Sequence, residues 1–371
     1  SDQNTNNFGT IGFTQAGEYS YQIKEIKGNI PGVTYDGHTT LLTINVKDDL
    51  NGQLVVDSIT YDNSQSSNSA DQTVVDKAAF TNTYSAGAVT FENFNVRKTI
   101  NGREWLDGET YSFTLSKVDR TESGEKNLTD IETIEIGAPE AGVSNTSKFS
   151  PITIDAVGSY EYEIREDIPL DAVNGVKNGI TYDTHVYTVK FDVYDPGNGT
   201  LAVRNVTYDG DANINTASFT NAYKANGSTS VSVTKNLTGR DWMNEDSFDF
   251  TLEIDKSHKA TLNAFENNQI SIDGANDEGV ANISISSADE SKTKSFGNIN
   301  FNDVEDGEYR FIVKETPVND EYYLNGIKYS QAEYLVAVTV NDNGSGTLEL
   351  TSLITQQLND DGVEGNKRNR L

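Results

Sequence analysis

The chain has 371 residues, enough for two to four domains, with 35% hydrophobic residues, 30 glycines against 6 prolines, and most aromatic surface supplied by 18 tyrosines and 15 phenylalanines. A formal charge of −29 repels nucleic acid and anionic lipid and excludes both as direct partners. The absence of cysteine excludes disulfides, thiol chemistry and cysteine-ligated zinc or iron–sulfur sites.

In chain order, the first clear element is Gly-Glu-Tyr-Ser-Tyr-Gln-Ile-Lys-Glu at 17–25. Tyr19, Tyr21 and Ile23 alternate with polar residues at the period of two of a half-buried strand, and Glu25 falls on their side. Phe-Thr-Asn-Thr-Tyr follows at 80–84, with Phe80, Asn82 and Tyr84 on one face, and then the short joint Ser85–Ala88. Phe-Asn-Val-Arg-Lys-Thr-Ile-Asn-Gly-Arg-Glu-Trp at 94–105 aligns Lys98 with Phe94, Val96 and Ile100. Gly-Ser-Tyr-Glu-Tyr-Glu-Ile-Arg-Glu at 158–166 puts Glu166 in register with Tyr160, Tyr162 and Ile164, leaving Glu161, Glu163 and Arg165 opposite.

Tyr187, Val189, Phe191 and Val193 form a further strand that ends in a turn at Asp195–Gly199. Phe-Thr-Asn-Ala-Tyr at 219–223 places Asn221 with Phe219 and Tyr223, before a second joint from Lys224 to Ser230. Val-Ser-Val-Thr-Lys-Asn-Leu-Thr-Gly-Arg-Asp-Trp at 231–242 aligns Lys235 with Val231, Val233 and Leu237, and Trp242 stands where Trp105 stood. Gly-Glu-Tyr-Arg-Phe-Ile-Val-Lys-Glu at 307–315 aligns Glu315 with Tyr309, Phe311 and Val313. Tyr334, Val336, Val338 and Val340 lead into a turn at Asn341–Gly346. No long stretch carries a helical period, so the secondary structure is expected to be strand nearly throughout.

These elements recur. The glutamates are 141 and 149 residues apart, the lysines 137 and the asparagines 139. A shared period near 140 marks successive copies of one domain. Residues 1–86 read as the back part of one copy, 87–225 as a whole copy, and 226–371 as a copy without its last strand. The joints are too short for free flexing, which predicts an elongated rod with limited bending.

Each complete copy therefore points a lysine, a glutamate and an asparagine into an apolar core. Burying a lone charge is costly, and an unpaired amide costs several kcal/mol. A buried Lys–Glu ion pair with a hydrogen-bonded asparagine is one explanation, and strand ends that reach water are another. Amide formation is the third, and the triple recurrence favours it. Burial lowers the lysine pKa and raises that of the glutamate. The neutral amine attacks the asparagine side-chain carbonyl, the protonated glutamate polarises that carbonyl and shuttles protons, and ammonia leaves. Neighbouring strands supply the proximity.

The run Val-x-Lys-x-Ile/Leu-x-Gly-Arg-x-Trp, the Tyr-x-Tyr/Phe-x-Ile/Val-x-Glu strand and the closing Phe-Thr-Asn-x-Tyr resemble the streptococcal pilin isopeptide-linkage domain of Gram-positive pilins and adhesin stalks. The resemblance covers nearly the whole chain. It implies an all-β architecture of tandem immunoglobulin-like β-sandwiches. It also implies an amide from Lys98 to Asn221 assisted by Glu166, with Glu25 and Glu315 in the equivalent acid positions. Such a stalk is extracellular and wall-anchored, with no cofactor or metal. It meets flanking domains of its own protein, and host or neighbouring-cell ligands through other regions.

The outer copies depart from the pattern. Residues 1–86 hold Glu25 and Asn82 without a lysine strand. Residues 226–371 hold Lys235 and Glu315, but the tail from Gly365 to Leu371 lacks the asparagine strand. No bond is expected in either; their partners are expected in missing sequence or a neighbouring molecule. Neither a signal peptide, a membrane span, a pilin-type lysine motif nor a sorting signal is recognisable, and the chain reads as a piece of a longer protein.

Two other function classes compete with this reading. A calcium-dependent adhesive module is suggested by the total acidity and by the loop Tyr208–Asn213, although the Asn341–Gly346 turn lacks the glutamate of an EF-hand. A hydrolase finds no recurring carboxylate pair, and His38, His185 and His258 match no ligand spacing.

Overall fold

The computed structural model describes residues 5–364. The middle copy holds two facing sheets. One is antiparallel, in the order Ala202–Tyr208, Val186–Tyr194, Gly158–Glu166, Thr110–Arg120, Lys126–Gly137. The other runs Ser144–Lys148, Asn95–Asn101, Thr216–Tyr223, Ile180–Thr181, Val176–Lys177. Within it, the lysine-bearing and asparagine-bearing strands are adjacent and parallel. Alternate residues of both sheets face inward, and Phe94, Val96, Ile100, Phe113, Leu115, Ile164, Val189, Phe191 and Phe219 fill the space between them. The Tyr208 hydroxyl pins the entry to the lysine strand by donating to the Asn93 carbonyl and accepting the Asn95 N–H.

The third copy repeats the antiparallel sheet as Val280–Ser286, Ser247–Ile254, Gly307–Thr316, Glu333–Asp342, Leu348–Leu358. Its lysine strand, Ser232–Thr234, pairs only with Thr293–Ser295 among the described residues. The first copy has a three-stranded sheet of Gly17–Lys24, Thr39–Asp48 and Leu54–Asp62, and a small core around Leu42, Ile44 and Val46. Among the described residues no second sheet of comparable size lies over it, and Tyr19, Tyr21 and Ile23 are only half-buried, whereas Tyr309, Phe311 and Val313 are buried.

Among the described residues the secondary structure is mostly strand, with two short α-helices. Lys259–Glu266 is an α-helix of 8 residues and Ser69–Gln72 one of 4. Helices of one or two turns are too short to establish a period in sequence. The polar face of Gly158–Glu166 also differs from a simply solvated one. Glu163 is buried beneath Lys126, while Arg120 clamps Glu161 at 2.6 and 3.0 Å and Arg165 reaches Asp130 at 3.3 Å.

The recurring Gly-Arg-x-Trp segment is a loop staple. Arg103 grips Glu109 with two hydrogen bonds of 2.7 and 2.9 Å, and Glu109 also accepts the Leu106 N–H. Arg240, Asp246 and Met243 repeat the arrangement. Trp105 stands edge-on to Tyr111, as Trp242 does to Phe248. The staple fixes the turn after the lysine strand, which holds that strand against the opposite sheet.

Candidate functional site

Lys98 and Asn221 reach one point from the two parallel strands, whose register sets Phe219 beside Lys98 and Asn221 beside Ile100. Glu166 arrives from the facing sheet at the end of its strand, opposite Phe113. The Lys98 and Glu166 side chains are fully buried, as is Asn221. Glu166 lies between the other two: Lys98 Nζ donates to Oε2 at 2.7 Å, and Asn221 Nδ2 donates to Oε1 at 2.8 Å. The rings of Tyr111 and Phe113 lie 4.8 and 6.0 Å from Nζ and help exclude water.

Burial is the largest influence on both titratable groups. It pushes Lys98 from 10.5 down to about 8 and raises Glu166 above its ordinary 4.5. Their mutual attraction opposes burial in each without overcoming it. Both groups are thus biased toward their neutral forms. A neutral amine is the nucleophile that amide formation requires.

The carbonyl of Asn221 does not face Glu166. Its Oδ1 accepts the main-chain N–H of Asp183 at 2.8 Å. The Asp183 carboxylate in turn accepts the N–H of Thr220 and of His185, at 2.8 and 2.9 Å. Sequence reasoning gave the polarising role to a glutamic acid proton. In the structure a fixed N–H points at the Asn221 carbonyl oxygen, where negative charge would develop if an amine attacked, and Glu166 stands against the side-chain nitrogen. Asp183 was missed, although a signal exists: Thr-Tyr-Asp-x-His occurs at 34–38 and again at 181–185. His38 and His185 therefore occupy equivalent positions; each ring bonds an aspartate, Asp36 and Asp209 respectively.

The outer copies hold parts of the same constellation. In the first, Asn82 Nδ2 donates to Glu25 Oε1 at 2.6 Å and its Oδ1 accepts the Asp36 N–H at 2.7 Å. Asn82 is nevertheless exposed, and Glu25 Oε2, the oxygen whose counterpart in Glu166 holds the lysine, is buried with no hydrogen-bond partner among the described residues. In the third, Lys235 Nζ donates to Glu315 Oε1 at 2.6 Å, with the Phe248 ring 4.2 Å away. Ser330 stands where Asp183 does, and its N–H goes to Glu315 Oε2 at 2.9 Å. The tail from Gly365, where the asparagine strand was sought and not found, lies outside the described residues.

In the loops that suggested calcium, carboxylates serve as turn and joint acceptors. Asp211 accepts from Asn213, Asp209 from Thr188 and Asp342 from Gly344. Among the described residues no group of three or more His, Asp or Glu is arranged to hold a metal, and no helix is long and apolar enough to cross a membrane.

Comparison with known proteins follows the same lines. The family model described as the FctA, Spy0128-like isopeptide-containing domain matches residues 1–85, 94–224 and 231–365. Among solved structures, the chain is similar to the major pilin from Streptococcus pyogenes, at 16% identity over 76% of this chain and 94% of that one, with a TM-score of 0.29. A single-site variant of the S. pyogenes major pilin aligns at 17% over 72% and 91%, TM-score 0.30. The T-13 major pilin of S. pyogenes aligns at 19% over 72% and 94%, TM-score 0.27. No curated protein matches the chain.

Proposed function

This chain belongs to the Spy0128-like isopeptide-containing domain family of pilin stalks, and from that premise we propose that its middle copy is held shut by an amide between Lys98 and Asn221. Membership in an isopeptide-containing domain family supports reading the chain as a structural protein of the cell surface whose bond forms once, without turnover. The carrying observation is the placement of Glu166 between nucleophile and leaving group, 2.7 Å from Lys98 Nζ and 2.8 Å from Asn221 Nδ2.

The neutral Lys98 amine attacks the Asn221 side-chain carbon, and the developing oxyanion is met by the Asp183 N–H. Glu166, neutral at the outset, gives its proton to the departing nitrogen and recovers one from the attacking amine. One C–N bond forms, one breaks and one ammonia is released, so no oxidant or cofactor is needed. The reaction occurs once per molecule.

The proposal extends to the organisation of the chain: copies at 1–86, 87–225 and 226–371, of which only the middle one has all three groups. The function is a load-bearing stalk of a wall-anchored surface protein. It presents an adhesive tip, carried by other regions, to host or neighbouring cells. Intact mass tests the chemistry. The purified chain should weigh one ammonia less than its sequence, and Glu166→Ala should restore the full sequence mass. A parent chain at full sequence mass would sink the proposal.

A further inference from the structure

Two contacts between copies match atom for atom. Tyr84, two residues past Asn82, donates its hydroxyl to Asp195 Oδ1 at 2.9 Å and accepts the Gly199 N–H at 3.2 Å. Tyr223, two past Asn221, donates to Asp342 Oδ1 at 2.7 Å and accepts the Gly346 N–H at 3.0 Å. Three residues beyond each tyrosine, the N–H of Gly87 or Asn226 reaches the carbonyl of the same glycine, Gly199 or Gly346, at 2.9 and 3.1 Å. Each acceptor turn belongs to the copy that follows the tyrosine.

We propose that this turn is a docking socket that recognises the Asn-x-Tyr strand end of the preceding repeat and fixes consecutive copies as one body.

The socket is built before its occupant arrives. In both turns the aspartate also accepts an N–H two residues on, at 2.8 Å, and left-handed residues follow at Gly197 and Gly199 or Gly344 and Gly346. Asp48–Gly52 of the first copy has the same 2.8 Å bond, to Leu50, and left-handed backbone at Leu50 and Gly52, yet nothing lies within 4 Å of an added Cβ at Gly52. The turn thus keeps its shape with no tyrosine docked, and preorganisation lowers the cost of docking.

The glycines are required by the approach of two backbones. A Cβ on Gly199 would strike Pro31 and Gly32, and one on Gly346 would strike Asn178 and Gly179. The second joint is the better sealed. Tyr223 is 2% exposed beneath the Arg103 guanidinium, 4.7 Å from its ring, and the Leu106 side chain packs on Gly344. Tyr84 is 44% exposed, and among the described residues no Gly-Arg-x-Trp loop lies over it.

The strand that carries the bonding asparagine thus also carries the docking tyrosine. A load leaving Asn221 enters the next copy after a single intervening residue.

The inference stands apart from the amide, and its test separates the two. Because the chain has no cysteine, Glu135→Cys and Thr351→Cys at exposed strand positions of the second and third copies give two unique spin-label sites in the full chain. Pulsed electron–electron distance measurement should give one narrow distribution for the parent and a broadened one for Tyr223→Phe, which loses only the hydroxyl. Intact mass on the same samples reads the amide independently. A distribution as narrow in Tyr223→Phe as in the parent would overturn the proposal. Should that variant fail to fold, Tyr84→Phe read between labels at Thr60→Cys and Glu135→Cys asks the same question of the first joint, with the same overturning result.

Discussion

Lys98, Glu166 and Asn221 make a site whose parts are each unfavourable alone. A buried amine and a buried carboxyl both resist ionisation, and the proposed amide would remove one of the two charges permanently. Asn221→Ala isolates this effect, since it leaves Lys98 and Glu166 facing each other without a bond. In that variant the unfolded chain binds more protons than the folded one between about 8 and 10.5, the folded and ordinary values of Lys98, so stability rises with pH across that window. Glu166 acts oppositely: its raised folded value means that stability falls as pH climbs above its ordinary 4.5. In a bonded parent the Lys98 nitrogen would be an amide, and the alkaline rise should be absent. Denaturant midpoints of parent and variant across pH, taken as a difference, measure this directly. Asp183→Ala removes the acceptors of the Thr220 and His185 N–H groups while keeping its own N–H, so bonded mass should accumulate more slowly but to completion after refolding.

The two strands that meet at the site are held by different devices. The lysine strand is fixed at its start by the Tyr208 hydroxyl and after its end by the Arg103–Glu109 staple. The asparagine strand is fixed by parallel pairing with it and by Phe219 in the core. Arg103→Ala leaves Glu109, whose side chain is 16% exposed, short of its two guanidinium bonds; stability should fall by about 1–3 kcal/mol. Arg240→Ala in the third copy should cost less, because the Arg240 side chain is already 35% exposed. Separate melting transitions for the copies, or exchange protection of the two loops, would resolve the difference. Phe219→Ala should cost about 3–5 kcal/mol as a core truncation, read as a lowered denaturant midpoint in a background where Glu166→Ala has removed the bond.

At the scale of the molecule, an amide from Lys98 to Asn221 closes a loop of about 124 residues and restricts the unfolded state by roughly 5 kcal/mol if treated as a disulfide of that span. Mechanics follow from topology as well. Lys98 and Asn221 lie on the first and last long strands of the copy, so with the proposed bond in place tension would pass across it and bypass the sheet between them. Pulling on the ends of the parent chain should release none of that loop. Glu166→Ala should release about 124 residues at roughly 3.3–3.6 Å each, a step on the order of 400 Å in single-molecule extension. A parent that shows the same step is not bonded.

Strand periodicity and repetition were enough to place Lys98, Glu166 and Asn221 on apolar faces, because side-chain direction in a strand follows from counting by two. They also marked Lys235 and Glu315 as a pair lacking an asparagine, and Glu25 and Asn82 as a pair lacking a lysine. Counting along one strand says nothing about which strand lies beside it, so the parallel pairing that joins Lys98 to Asn221 had to come from the fold. The Asp183 N–H, the burial of Glu163 and the tyrosine sockets likewise depend on backbone groups and neighbouring strands far away in sequence. The linear chain carries the alternation of faces; only the assembled sheets decide which groups touch, because hydrogen bonds and desolvation act across space.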